Sequence, residues 1–577
     1  MKKIIKEILS FVLCLACLTT CIACGDNSVE QVDDNKTQLY VGYINNGHGK
    51  AFLEDAKERF EEKYANISFE TGKTGVQIFF DEVEYGSKLL STIRGSRTEV
   101  FFVSDVDYVQ YVNEGLLFDI SDWINTPLTE YGEEKSILDK INSESANFYN
   151  FNGEGYYGLP YVTSGFTFMY DVDLFNDKDL YFMANDSGNG DYSAKRENGV
   201  YSFINSNSKN PEHKIKSSGP NGRPGDYDDG LPATNEQFIA LLDRMSDKGI
   251  NPITWSGKYQ DYMNDLGYSL WANYEGAENM RLNFTFDSSA TGAVTNLIES
   301  IDSSGEITYM AATDITNDNG YLLQRQSGKY FALKLLEQIV DGGSKYYKEE
   351  ETFKETVDHL SAQNNFLSSK FLYPDNPTGI FVDGFYWENE ATATFDKLSQ
   401  AYTAEKASKT SRKLGAMPLP HADDSQIGNK NVWQDGSTTM VMVNGSLSEN
   451  KKDVAKTFIR FMHTNESLVK FTQKTSLIRP YEFTASEEDL AEMTYYGMTC
   501  YNLYRDSELL VTNSLNPTYL ANISMLKASS YDFFTTSVGG TSYRIATKAF
   551  RSGISAEDYF TGVFGVFNET LWNGIKR

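Results

Sequence analysis

Gln38-Leu39-Tyr40-Val41-Gly42-Tyr43-Ile44 reads as a strand, and the segments next to it in the chain set the fold class. Asn45-Asn46-Gly47-His48-Gly49 makes a loop, and Ala51 to Tyr64 then carries Phe52, Ala56 and Phe60 on one helical face. Val76 to Val83 is a second strand, and Tyr85 to Ser96 a helix with Leu89, Leu90 and Ile93 inward. Glu99 to Val103 is a third strand, and Val106 to Asn113 a helix. Strands that alternate with helices predict a parallel sheet covered on both faces.

Gly158-Leu159-Pro160-Tyr161 breaks this rhythm, and a strand over Gly165 to Tyr170 comes after it. Residues 184–230 are rich in Asn, Ser, Gly, Asp and Lys without periodicity, which predicts a long surface insertion with a hairpin around Tyr201-Phe203. Thr234 is placed to cap a helix over Asn235 to Lys248, which Gly249 closes. Further strands are expected at Gly379 to Gly384, Leu414 to Met417 and Thr438 to Val443, and a helix at Lys452 to Thr464. The remainder reads as mostly helical, ending with Ser555 to Trp572.

The N-terminus addresses the chain out of the cytoplasm. Lys2, Lys3 and Lys6 precede an apolar run from Ile8 to Ala23, and the chain turns acidic and polar after Cys24-Gly25. This is the form of a secretory signal. The run is shorter than the roughly 20 residues that span a bilayer. Cys14, Cys17 and Cys21 leave with the signal, so the two apparent C-x-x-C motifs carry no metal or redox chemistry. The exported body keeps Cys500 besides Cys24, which leaves no pair for an internal disulfide. The fold must rest on apolar burial, and 577 residues exceed the usual single domain.

The formal charge is −28, and removing three Lys and one Glu with the signal leaves about −30. No Lys/Arg cluster interrupts the body, so nucleic acid and anionic membrane surfaces are poor partners. Catalytic motifs fail one by one. Gly42 and Gly47 have phosphate-loop spacing, but His48-Gly49 stands where Lys-Ser/Thr would hold phosphate and metal. There is no H-E-x-x-H and no G-x-S-x-G, and the five His stand apart. Asp226-Tyr227-Asp228-Asp229-Gly230 lacks the alternation and distal Glu of a calcium loop, so no metal is expected there. Pairs such as Asp105/Asp107 suit glycoside hydrolysis only at a fixed separation, which spacing alone does not supply.

Several segments, in their order, resemble the extracellular solute-binding proteins of bacterial ABC importers, the large carbohydrate-binding type related to maltose-binding protein. Glu99 to Asp105 resembles that family's third strand and ligand loop, and Tyr157-Gly158-Leu159-Pro160-Tyr161 with Phe168-Met169-Tyr170 its first crossing between lobes. Asn251 to Gly257, Phe381 to Trp387, Leu414 to Pro420 and Phe550 to Glu557 resemble later landmarks. The family form of the signal is a lipoprotein signal, in which Cys24 carries acyl chains such as palmitate. The resemblance implies an α/β, two-lobe periplasmic-binding-protein-like fold (type II), each lobe a mostly parallel sheet flanked by helices around a hinged cleft. Its expected layout is a signal peptide (1–23), an acidic tether (24–37), lobe 1 from 38–163 and 431–475, and lobe 2 from 164–430 and 476–577.

It also implies a monomer at the outer face of the cell membrane that binds a carbohydrate, contacts permease subunits, holds no cofactor and catalyses nothing. A ligand site there combines flat aromatics with polar side chains. The candidates are Asn45 and Asn46 after the first strand, Ser104 and Asp105 after the third, and Tyr161 and Ser164 (with Thr163) at the first crossing. Next come Trp271, then Asp383, Tyr386 and Trp387, then Trp433 and Asp435, with Arg479 as a hinge or pocket cation. Trp387 is the expected stacking ring. A surface glycoside hydrolase and a binder or sensor of a non-sugar solute are the competing readings.

Overall fold

The computed structural model describes residues 31–45, 47–84, 86–104, 106–163, 165–185, 190–435, 439–526 and 535–577. The signal, Cys24 and the first part of the tether lie outside the described residues, as do Asn46, Asp105 and Ser164. The principal strands in chain order are β1 (Thr37–Tyr43), β2 (Val76–Glu82), β3 (Val100–Val103), β4 (Leu159–Pro160) and β5 (Phe166–Asp171). They continue with β6 (Asn251–Thr254), β7 (Thr378–Gly384), β8 (Leu414–Met417), β9 (Asn431–Asp435), β10 (Met440–Val443) and β11 (Ser507–Val511). The helices that matter for the site are α1 (Ala51–Lys63), α2 (Tyr108–Asn113), α3 (Ser143–Tyr149), α4 (Asn235–Asp247) and α5 (Asp261–Thr285). After them come α6 (His359–Leu372), α7 (Trp387–Glu390), α8 (Lys452–Met462), α9 (Asn465–Thr475) and α10 (Tyr495–Arg505).

One sheet has the order β2-β1-β3-β10-β4 and the other β6-β7-β5-β8. β1 runs parallel to β2 and β3, and β10 is antiparallel to both its neighbours. In the second sheet β6 and β7 are parallel, and β5 is antiparallel to β7 and β8. Each sheet therefore has one reversed strand. The expected parallel character holds for strand direction, but parallel neighbours are confined to β2-β1-β3 and β6-β7.

Period-two alternation sorts the apolar side chains into three layers. Val100 and Phe102 of β3, with Val441 and Val443 of β10, face one way, while Phe101, Val103, Met440 and Met442 face the other. In the second sheet Phe168, Tyr170, Ile380 and Val382 face a large lobe-2 core, and Met169, Phe381 and Ala416 face the opposite side. That opposite side and the Phe102 face of the first sheet belong to one continuous apolar layer. A one-residue slip of β3 would exchange its two faces, so the layers fix the register. Helix α1 enters the shared layer through Phe52, Ala56 and Phe60, as its period predicts, and Phe52 meets Phe471 of α9 edge-on at 4.9 Å.

Local signals set several boundaries. The Thr234 hydroxyl accepts the Gln237 N–H at the start of α4, and Gly249 takes φ +73° just past its end. The helix expected from Val106 begins at Tyr108, because the Asp107 carboxylate accepts the Gln110 N–H at 3.0 Å and caps it there. The last helix is two, Ala556–Val566 and Glu569–Ile575, since Asn568 restarts it by accepting the Leu571 N–H. The mostly helical tail also holds β11, paired in parallel with β9, and a hairpin of Thr536–Val538 with Thr541–Tyr543. The segment 184–230 does form a hairpin, Arg196–Glu197 with Val200–Tyr201, but it is more than a surface insertion. Tyr201, Ile204, Ser217 and Asp228 are buried, so it packs as part of lobe 2. Among the described residues no helix is long and apolar enough to cross a membrane.

Candidate functional site

The chain passes between the sheets near Tyr161, between β8 and β10, and near Arg479. Arg479 is buried and donates to the Tyr161 carbonyl at 3.2 Å and the Met462 carbonyl at 2.6 Å. Its third contact is His463 Nε2 at 2.6 Å, while His463 Nδ1 lies 2.6 Å from the Ile459 carbonyl. Arginine has no acceptor, so Nε2 must accept and Nδ1–H must donate. Burial first, and then the guanidinium, hold this imidazole neutral well below its ordinary range. Tyr481 OH donates to the Pro160 carbonyl at 2.7 Å, and Thr163 bonds the Ile478 carbonyl through both N–H and hydroxyl. Arg479 therefore ties the crossing at Tyr161 to the end of α8, and Tyr161 packs there against Phe52, Phe102 and Phe471.

The carboxyl ends of the parallel strands are the usual place for a ligand in an open α/β sheet. From lobe 1 come exposed Asn45 after β1 and buried Ser104 after β3. From lobe 2 come Gly384, Phe385 and Tyr386 after β7. The two sides touch: Asn389 Nδ2 donates to the Gly47 carbonyl at 2.8 Å. A Cβ on Gly47 would come within 2.9 Å of Glu390 Oε1, so a larger residue here would have to displace the Glu390 side chain. Behind the contact, Gln363 Nε2 reaches Asp383 Oδ2 at 3.2 Å and Glu390 Oε2 at 3.1 Å. Burial, together with the charge of Glu390, pushes the Asp383 carboxyl well up, and burial raises Glu390. Tyr386, Tyr262 and Phe166 form an aromatic wall beside this cluster, Phe166 meeting Tyr262 at 5.1 Å and Tyr386 at 6.3 Å.

Trp387 departs from its expected place. It is 0 % exposed and enclosed by Phe366, Phe381, Phe395 and Tyr496, with centroids 5.6 to 6.4 Å away. Its ring offers no face to a ligand in this structure; α7 begins at this residue and turns it into the shared layer, one position beyond Tyr386. Trp271 is buried in lobe 2 with the Lys329 ammonium over its ring. Trp433 stacks on Phe385 at 4.2 Å, beside a water-sized hole lined by Phe166, Ser269 and Gln434. Asp435 is buried and accepts from Ser145.

Open volume lies further along the interlobe surface. A cavity of about 480 Å³ is lined by Asp107, Tyr108, Gln110, Asn113, Phe148 and Asn513, among others. A second, of about 260 Å³, shares Phe148 and Asn513 and adds Glu144, Asn147 and Arg281. The larger lies within the roughly 300–1,000 Å³ of ordinary ligand sites. Arg281 of α5 pairs with Glu144 of α3 across the gap between the lobes. Apart from Asp107, weighed only in a carboxylate pair, none of these was a sequence candidate. Phe148 and Arg281 lie within helices, where spacing reports a face but not its neighbour.

No family model and no curated protein matches the sequence. Solved structures do. One, from a study of xylan utilization by the thermophilic bacterium Caldanaerobius polysaccharolyticus, is 11 % identical with a TM-score of 0.50, covering 92 % of this chain and 100 % of that one. A probable secreted solute-binding lipoprotein from Streptomyces coelicolor is 11 % identical at TM-score 0.50, over 92 % of this chain and 99 % of its own. At identities this low the likeness shows the fold alone. The chain has the two-lobe α/β fold of these structures, over nearly its whole length.

Proposed function

We propose that this chain is an exported, lipid-anchored solute-binding protein that captures a carbohydrate between its lobes and delivers it to the permease of an ABC importer. The observation that carries the reading is the cleft itself. Two α/β lobes, joined by a bonded hinge, meet across polar contacts, with amide, carboxylate and aromatic side chains lining the space between. Sugars present apolar C–H faces and many hydroxyls, and that mixture of side chains suits both. The likeness to a solute-binding lipoprotein and to a protein studied for xylan utilization supports the class of ligand. Acylation of Cys24 supplies the anchor, and the expected boundaries assign 38–163 and 431–475 to lobe 1. The chain captures its ligand without chemistry.

The test is a thermal-unfolding screen against mono- and oligosaccharides, xylo-oligosaccharides included, and then calorimetry. A ligand that binds only the folded state at 100 times its Kd adds about 2.7 kcal/mol. The reading fails if no sugar shifts the midpoint, or if a shifting oligosaccharide is hydrolysed.

A further inference from the structure

The loop between Ser217 and Gly230 holds three carboxylates, Asp226, Asp228 and Asp229, whose donor oxygens lie within 4.8 Å of one another. Asp228 is 0 % exposed. Its Oδ2 accepts the Asn221 N–H at 3.0 Å, but Oδ1 is buried and accepts no hydrogen bond. Asp229 is satisfied in the same half measure: Oδ2 accepts the Gly225 N–H at 2.8 Å, and Oδ1 is buried without a donor. Asp226, exposed at the rim, accepts from Asn221 Nδ2 at 2.8 Å. Two cations stand nearby, each shared between the cluster and another partner. Arg223 reaches Asp506 at 2.5 Å and lies 3.5 Å from Asp226, while Lys216 sits 3.2 Å from the Tyr181 ring centroid.

Two buried carboxylate oxygens without a donor, in a cluster whose donor oxygens lie within 4.8 Å of one another, need a counter-charge or a proton. We propose that Asp226, Asp228 and Asp229 ligate a divalent cation, Ca²⁺ by class. All donors are hard oxygens, which disfavours zinc and copper. The turn-rich loop suits the irregular coordination of Ca²⁺ better than the strict octahedron of Mg²⁺. The sequence reading expected no metal because the spacing is not that of an EF-hand. Here the donors converge by another route: Gly219, at φ +62°, lets the backbone approach the Asp228 carbonyl to where a Cβ would stand 2.3 Å away. The ion would pin the loop to lobe 2, where the Pro220 carbonyl accepts from Gly428 N–H and from His421 Nε2–H. This inference is independent of the ligand assigned to the cleft.

The experiment uses the full exported chain, stripped with chelator and dialysed. Tb³⁺ is the probe, since Tyr227 lies within the loop and can sensitise its emission. Thermal unfolding is then monitored with added Ca²⁺ or Mg²⁺. We expect saturable emission displaced by Ca²⁺, and a midpoint that rises with Ca²⁺ more than with Mg²⁺. Asp228→Asn should abolish both effects, and Asp226→Asn should weaken Ca²⁺ binding by about tenfold or more. Asp226 is exposed, so its variant decides the matter if Asp228→Asn fails to fold. A wild type indifferent to Ca²⁺ overturns the proposal, as does an unchanged response in the variants. A stabilised Asp228→Asn beside an indifferent wild type would assign a shared proton to the site.

Discussion

Replacing Trp387 with alanine separates packing from ligand contact. The side chain is 0 % exposed, and four aromatic rings surround it. Truncation should cost about 3–5 kcal/mol of stability through lost burial and the cavity left behind. Part of that is edge-to-face ring contact, worth about 0.5–1.5 kcal/mol per pair beyond area. Trp387→Phe should cost less than half as much. It keeps a ring in place, and the indole N–H it removes has no hydrogen-bond partner among the described residues. Urea unfolding of ligand-free protein measures the cost. Fluorescence and far-ultraviolet circular dichroism are recorded together, so that separate unfolding of the lobes is seen. Calorimetry on the folded fraction should find ligand affinity within about threefold of wild type, under 1 kcal/mol. The reasoning is refuted if Trp387→Ala keeps its urea midpoint and loses affinity tenfold or more (about 1.4 kcal/mol). The ring would then face the ligand in a conformation other than this one.

Glu275 is buried in lobe 2, accepting from Gly328 N–H and Asn296 Nδ2, and burial raises its carboxyl to about 7. The folded state then keeps a proton that the unfolded chain releases above about 4.5, so this stability is present at low pH and is lost as pH rises towards 7. The shift corresponds to about 3 kcal/mol. Glu275→Gln should therefore flatten the fall in urea midpoint between pH 5 and 8, and an unchanged slope would refute the assignment. The Glu144–Arg281 pair is partly exposed and worth about 0–1 kcal/mol, so Arg281→Met should lower ligand affinity a few-fold and enlarge the ligand-free radius of gyration. Identical scattering and affinity would make the pair incidental to closure. Cys24→Ala should release the protein from the membrane fraction, and equal partitioning of mutant and wild type would count against acylation.

The fold was legible where periodicity reports a buried face. Val100 to Val103 carries apolar residues on both sides because both faces of β3 are covered, and α1 shows its inward stripe for the same reason. What periodicity does not report is which neighbour a face meets. Nothing local to Met440–Val443 says that it pairs antiparallel between β3 and β4. The insertion misled because its buried residues are scattered among turns, so no period of two or 3.6 emerges although Tyr201 and Ile204 within it are buried.

The candidate site was legible at strand ends and obscure elsewhere. Asn45, Ser104 and Tyr386 stand at carboxyl ends of strands, a position that topology alone makes a ligand edge. Trp387 is one residue beyond Tyr386, and that single step decides between cleft and core. The β-period ends at Gly384, and a helix start rotates successive side chains by about 100°. Arg479 could be named as a cation near the hinge, but its acceptors on Tyr161 and Met462 come from distant segments.

Magnitudes also decide how the lobes can part. The shared apolar layer joins β3 and β10 to β7 and β8, and opening it would expose side chains such as Phe102, Phe381 and Trp387. Each fully buried ring of that size contributes about 1.5–3 kcal/mol, so losing several would consume much or all of the roughly 5–15 kcal/mol that holds a typical domain together. The contacts between the opposing polar walls are far weaker. One is a single neutral hydrogen bond from Asn389 to Gly47, worth about 0.5–1.5 kcal/mol. Another is the partly exposed Glu144–Arg281 pair, worth no more than about 1 kcal/mol. Thermal opening must therefore break the polar contacts and keep the apolar layer. Arg479, His463 and Tyr481 lie where the chain crosses beside that layer, each bonded to a main-chain carbonyl. A ligand that bonds to both walls needs to supply only a few kcal/mol to hold them together, which hydrogen bonds to two or three hydroxyls provide.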